Sequence, residues 1–333
     1  MNPNVLQWDG APGHYEVHYL SATDPATGIG LWIRYTMRAP VDGPAECHLW
    51  FMAMAPDGST KLARKGTFPI ERLVAEAEPF RLEVAGSVLT DQGMQGGFED
   101  VAWDLSWTPS LAPYEHVHPV LRRARIAKTV LVLPHADLAV SGTVTFAGTE
   151  LRLDGVPGGQ AHLWGSKHAG RWTWLHCNDL DDADSGERAA QTFVDGVSVV
   201  VPRFGRDVGP SSPLVGRFLG EDFRAVSPRA VLGTASAFDL TSWRFEARDG
   251  KRKLVGEASA PRASLVGVTY QDPDGDEVWC YNSEVATLRL QVLDKQARGR
   301  GGWAVRQTLV GDGTAHFEYA QRTPVDGLEL LVT

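Results

Sequence analysis

Residues 159–179 read GQAHLWGSKHAGRWTWLHCND. In an extended strand, side chains two apart share a face. Over 171–178 this puts Trp172, Trp174, His176 and Asn178 on one side and Arg171, Thr173, Leu175 and Cys177 on the other. One face is therefore aromatic and polar at once. Upstream, Gln160, His162 and Trp164 share a face if that stretch is extended too, and Gly165 ends it. The plain account of such a stripe is core: tryptophans fill a barrel, and the histidine and asparagine satisfy backbone groups.

Working outward, the rest of the chain has the same texture. With 35 glycines and 20 prolines in 333 residues, turn signals recur about every ten residues, and the segments between them are rich in Val, Thr, Leu, Phe and Trp. Segments 30–40 (GLWIRYTMRAP), 46–58 (ECHLWFMAMAPDG), 128–134 (KTVLVLP), 139–155 (AVSGTVTFAGTELRLDG), 191–202 (QTFVDGVSVVVP) and 285–295 (VATLRLQVLDK) each run for a strand length and then meet a breaker. Helical material is confined to 70–78 (IERLVAEAE) and a turn near 114–123. Many short strands without long helices indicate an all-β sandwich or barrel. The length suggests about two domains. A weak echo between 13–28 (GHYEVHYLSATDPATG) and 170–186 (GRWTWLHCNDLDDADSG) supports two halves. The turn-rich VPGGQ at 156–160 places the division between 1–160 and 161–333.

Hydrophobic residues make up 43% and charged residues 22%, an ordinary globular balance. Lys+Arg of 32 against Asp+Glu of 41 gives a net charge of −9, which argues against nucleic acid as a partner. The opening MNPNVLQWDG has no leader pattern and no segment is long and apolar enough for stable membrane insertion. A cytoplasmic protein is expected. Cys47, Cys177 and Cys280 form no C-x-x-C and are odd in number, as expected of free thiols.

The string H-L-W-G, a spacer, then W-x-W-x-x-x-N resembles the central motif of tocopherol cyclases, carotenoid 1,2-hydratases and AttH-like proteins, a family of two-domain lipocalin-like proteins. Lipocalin-like Diels-Alderases are similar at a greater distance. Further matches lie in order: Tyr15 and Glu16, then Trp103, Asp104 and Leu105, then Pro134 and His135 before Gly142, Thr143 and Val144. The resemblance implies two lipocalin-like antiparallel β-barrel domains in tandem, with a hydrophobic ligand near their junction. It also implies an acid–base set, which maps onto His162 and Trp164 in H-x-W and onto Phe193 and Asp195, where Phe stands for the family's tyrosine. Ala161, His162 and Leu163 replace the family's usual polar run before the tryptophan.

Chemistry alone supports a similar expectation. Protonating an unactivated alkene needs a carboxylic acid or imidazolium in a dry pocket, with aromatic faces near the developing cation. His162 and Asp195 are the expected catalytic pair. Trp164, Trp172, Trp174, His176, Asn178 and Phe193 are the expected substrate contacts, joined by Asn282 and Glu284 from one face of 278–284 (VWCYNSE). No cofactor and no metal are expected. His116 and His118 share a strand face but lack a third ligand, and the acidic runs at 181–187 and 272–277 do not complete a calcium loop. No G-x-S-x-G elbow, Walker loop or dinucleotide fingerprint occurs. Two functions stand against each other: a cofactor-free enzyme for an isoprenoid or polyene-type molecule (cyclisation, hydration or isomerisation), and a carrier that only holds such a molecule. Acidic and imidazole groups among the tryptophans favour the enzyme, since a carrier has no need of an acid.

Overall fold

The computed structural model describes residues 2–118, 120, 122, 128–203, 205–296 and 302–333. Its strands fall into two sheets, antiparallel throughout except where β22 pairs parallel with β25. Sheet A is built from β1 (His14–Asp24), β2 (Ile29–Ala39), β3 (Glu46–Met54), β4 (Lys61–Pro69), β5 (Leu73–Ala77), β6 (Phe80–Val84), β7 (Ser87–Thr90), β8 (Gly93–Phe98), β9 (Val101–Trp107), β10 (Tyr114–Glu115), β11 (Thr129–Phe146) and β12 (Thr149–Gly165). Its order is β4-β3-β2-β1-β12-β11-β9-β8-β7-β6-β5, with β10 beside β11. Edge strands β4 and β5 follow one another in the chain, so the sheet curls into a nearly closed barrel.

Sheet B takes β13 (Arg171–Cys177), β14 (Asp181–Asp182), β15 (Phe193–Arg203), β16 (Arg206–Ser211), β17 (Leu214–Phe218), β18 (Glu221–Ala225), β19 (Ala235–Phe238), β20 (Ser242–Arg248), β21 (Arg252–Ser259), β22 (Val266–Gln271), β23 (Glu277–Lys295), β24 (Trp303–Gln321) and β25 (Leu330–Val332). The order through its middle is β18-β17-β15-β13-β24-β23-β21-β20-β19. A short helix, α1 (Pro228–Gly233), is capped by Ser227, whose side chain accepts from the Ala230 amide. The fold is the all-β tandem that strand spacing predicts. No helix of the described residues is long and apolar enough to cross a membrane.

Period-two alternation feeds three cores. Inward residues of sheet A, such as Leu20, Ile33, Tyr35, Leu49 and Phe51, fill the first. Inward residues of sheet B, including Leu175, Cys177, Trp243 and Phe317, fill another. The third lies between the sheets and is unusually aromatic. Tyr15, Tyr19, Trp32 and Trp50 from the outer face of sheet A meet Trp172, Trp174, Phe193 and Tyr270 from sheet B. At about 25 cal/mol per Å² of apolar surface, burial of these large rings ties the halves together.

Two local expectations give way. Segment 70–78 is a single 3-10 turn at Ile70–Arg72 followed by strand β5, not a helix. A lone helix of that length is marginal, whereas β5 gains a ladder against β6. The turn-rich VPGGQ is not a turn: it lies inside β12, which runs through residue 160 to Gly165, and the change of sheet comes between Gly165 and Arg171. The turn expected near 114–123 lies partly outside the described residues; within them, Tyr114–Glu115 pair with Leu133 and Val132 of β11. Cys47, Cys177 and Cys280 are buried free thiols.

Candidate functional site

The junction acquires its polar groups by register. In sheet B, β13 pairs with β15 so that His176 stands opposite Asp195, and with β24 so that His176 also stands opposite His316. Directly opposed side chains lie within contact range. His176 Nδ1 is 3.0 Å from Asp195 Oδ2. His116, on the segment that leaves β10, puts Nε2 2.9 Å from Asp195 Oδ1. The ladder between β23 and β24 is irregular between Ser283 and Ala286, and there Glu284 Oε2 lies 2.6 Å from His316 Nδ1. All five groups are buried.

Their environments push the two carboxyls apart. Burial opposes the charge on Asp195, but the contacts from His116 and His176 outweigh it and hold this carboxyl below the ordinary range. Burial dominates at Glu284 and raises its carboxyl, only partly offset by His316. Asp195, being ionised, can only accept, so His176 donates from Nδ1 and presents Nε2 away from the aspartate.

Sheet A closes over that nitrogen. Tyr19, Ser21, Leu133, Gly159 and Ala161 form a crevice with Trp174, His176 and Asp195. A Cβ on Gly159 would come within 2.8 Å of His176 Cε1 and closer still to Nε2, so a glycine in β12 makes room for the imidazole. Around the crevice Ser21 Oγ, Trp174 Nε1 and His176 Nε2 are buried without a hydrogen-bond partner among the described residues. Buried polar atoms of this kind are ordinarily satisfied by protein groups or ordered water. The crevice has essentially no free volume as it stands (≈ 0 Å³), so the aromatic interior is packed rather than hollow.

Of the residues singled out from sequence, Trp172, Trp174 and Phe193 join the inter-sheet core. Trp174 stacks on His176 at 6.3 Å between ring centres and meets Tyr19 edge-on at 5.6 Å. Phe193 lies 6.5 Å from His176 and packs edge-on against Tyr114. Asn178 donates to Asp137 Oδ1 (2.8 Å) and to the Gly158 carbonyl (2.9 Å), pinning the sheets at one end. Asn282 is buried in β23, its amide 3.5 Å from the Cys280 sulfur.

His162 and Trp164 lie elsewhere. By register they point into barrel A, where His162 Nε2 is 2.8 Å from Glu16 Oε1 and Nδ1 is 2.6 Å from the Pro3 carbonyl. The structure therefore does not join His162 to Asp195. Instead Glu16 holds the amino-terminal segment, accepting from the amides of Gln7 and Trp8. Contacts from His14 and His162 overcome its burial and pull its carboxyl down to about 2. Neighbouring His18 is pushed down to about 3, chiefly by burial. Glu16, His18 and His162 bring possible metal ligands within 4.8 Å of one another. Glu16 and both ring nitrogens of His162 are already engaged, as is His18 Nε2 with the Asn4 carbonyl. His116 and His118 do not act together: His116 meets Asp195, while His118 Nδ1 accepts from the Val120 amide. Tyr19, His316 and the role of His116 were not legible from sequence, since each depends on long-range register.

A nearly closed barrel sheet and a second sheet, joined by an aromatic core that holds buried imidazole–carboxylate pairs, define an all-β tandem fold. Two solved structures share this fold. A candidate AttH of Nitrosomonas europaea matches with a TM-score of 0.55 and 12% identity, over 97% of this chain and 99% of its own. Kievitone hydratase of Nectria haematococca matches with a TM-score of 0.52 and 8% identity, over 96% and 94%. The chain belongs to the family of the uncharacterized protein Rv0493c of Mycobacterium tuberculosis H37Rv, to which it is 30% identical over 323 residues, 95% of this chain and 89% of the relative. The uncharacterized protein MT0513 of strain CDC 1551 matches equally. No family model matches the chain.

Proposed function

We propose that the junction is an acid–base site acting without a cofactor on an apolar small molecule of the isoprenoid or polyene type, by hydration, cyclisation or isomerisation. The observation that carries this reading is His176: its Nδ1 is held by a buried carboxylate, and its Nε2 faces the inter-sheet crevice with no partner among the described residues. Asp195 then orients the ring and keeps one tautomer, while Nε2 gives a proton to a double bond or takes one from water. Tyr19 and Trp174 offer π faces to a carbon that becomes cationic. Ser21 and Trp174 have free polar atoms for a bound water or hydroxyl. Ligand sites span about 300–1,000 Å³, so turnover requires the sheets to part at this crevice. One neighbour in fold is by name a hydratase, which makes water addition the first reaction to test.

The test incubates purified protein with an apolar extract of the producing organism in isotopically labelled water and follows products by mass spectrometry. Incorporation of heavy oxygen together with carbon-bound deuterium signals hydration, and carbon-bound deuterium without heavy oxygen signals cyclisation or isomerisation. Either should fall about a hundredfold or more in Asp195→Asn and in His176→Gln, the usual worth of positioned proton transfer. Label incorporation that survives both substitutions rules out the dyad. A ligand that binds the wild type but never acquires label favours the carrier.

A further inference from the structure

A second cluster stands on the outer face of sheet A, outside the dyad. Register lines up Ala161, Tyr19, Arg34, Trp50 and Lys65 in one row across β12, β1, β2, β3 and β4. Arg34 is only 6% exposed, yet no carboxylate lies within the 4.0 Å of an ion pair among the described residues. Its guanidinium instead rests on aromatic rings, 4.4 Å from Tyr270, 5.2 Å from Trp32 and 5.6 Å from Trp50. Its Nε has no acceptor among the described residues. Lys65 lies 4.7 Å over Trp50, and burial, together with Arg38 and Arg34, lowers its ammonium. The nearby acids are committed. Glu46 serves Arg38 at 2.5 Å and His48 at 3.3 Å. Asp272 is held by His168 at 2.6 Å and Arg322 at 2.7 Å. Glu318 accepts from Trp172 and from Tyr270.

Arg34 and Lys65 line one cleft of about 80 Å³ that opens to solvent between sheet A and β22. Cation–π contacts return about 0.5–2 kcal/mol each, whereas removing a charge from water costs several kcal/mol per ion. A buried arginine without an anion is thus a group awaiting one. We infer that this cleft is an anion subsite for a planar carboxylate, seated on the fork of Arg34 between the rings of Tyr270, Trp50 and Tyr15, with Lys65 at the rim. Guanidinium suits the role because it meets a carboxylate with two parallel hydrogen bonds while stacking on rings. The space fits a carboxylate and the first atoms attached to it. The inference is independent of proton transfer at Asp195.

The probe is benzoate, with benzamide as its neutral counterpart of the same shape, titrated into the full chain and followed by tryptophan fluorescence and NMR. Wild type should prefer benzoate by about tenfold or more, the scale of one charge-assisted contact. Arg34→Gln should abolish the preference, and Lys65→Met, at the rim, should reduce it several-fold with an unchanged circular dichroism spectrum. Asp195→Asn should bind benzoate like wild type, so failure of the acid–base reading leaves this result standing. Equal binding of benzoate and benzamide to wild type overturns the inference. So does a preference that survives Lys65→Met undiminished, a comparison that also decides the matter should Arg34→Gln not fold.

Discussion

Gly159→Ala places one methyl group against the His176 ring, at a close approach of the two sheets. Gly159 does not have a positive φ, so alanine suits its backbone, and on chain entropy alone the substitution would stabilise by about 0.4–1 kcal/mol. The new Cβ, however, falls within 2.8 Å of His176 Cε1 and 3.2 Å of Cδ2, with Nε2 nearer still. Restoring ordinary contact needs the ring to retreat by roughly half an ångström or more. It cannot swing freely: Nδ1 is 3.0 Å from Asp195, and Trp174, His316 and Phe193 flank the ring. Overpacking costs about 1–3 kcal/mol, and weakening a hydrogen bond to a charged group costs about 1.5–3 kcal/mol. The net expectation is a loss of about 1–3 kcal/mol in urea unfolding, accompanied by a shift of the His176 ring-nitrogen NMR signals. Gly233→Ala, whose Cβ meets nothing within 4 Å, is the control and should show no loss. A Gly159→Ala protein at least as stable as its parent, with His176 unmoved, would refute the close approach.

Acid should unfold the amino-terminal side of barrel A early. Glu16 is held at about 2 in the folded chain, below its ordinary value, so its contribution of roughly 3 kcal/mol is present above about pH 4.5 and is lost as pH falls toward 2. His18, kept near 3 by burial, adds a loss that begins below about pH 6.5, where the unfolded chain takes up the proton first. Glu16→Gln should therefore flatten the decline in urea midpoint between pH 6 and 3, and an unchanged pH profile would contradict the buried network. Trp174→Ala should weaken any junction ligand by about 1–3 kcal/mol through lost contact area, measured by calorimetry; undiminished affinity would remove Trp174 from the site. A chelator should leave the thermal midpoint unchanged, because the Glu16, His18 and His162 cluster is knit by its own hydrogen bonds; a drop of several degrees would reveal a bound ion.

What could be read in advance divides along the range of the interactions. Alternation within one strand needs no tertiary knowledge, so Trp172, Trp174 and His176 could be assigned together to one face, and Leu175 and Cys177 to the other. The same logic put Asn282 and Glu284 on a common face of β23. Local punctuation misled at VPGGQ, where Gly158 and Gly159 are required not by a turn but by what presses on them: Ser21 and Val140 on the first, His176 on the second. Cross-strand partners stayed hidden. His162 faces into barrel A and Asp195 outward from sheet B, and only the pairing of β1 with β12 and of β13 with β15 separates them. Arg34 lies in an unremarkable strand sequence, and its isolation from any carboxylate is a property of the assembled sheets.

The aromatic outer face of sheet A also bears on how the chain is made. Tyr19 packs against Trp174 and Trp50 against Tyr270, partners that follow Gly165 in the chain. A ribosome adding about 5–20 residues per second needs roughly ten to thirty seconds to deliver residues 171–333. For that interval sheet A presents an aromatic surface to other nascent chains, so the yield of native protein depends on how fast the second sheet arrives, or on a chaperone that occupies the face until it does.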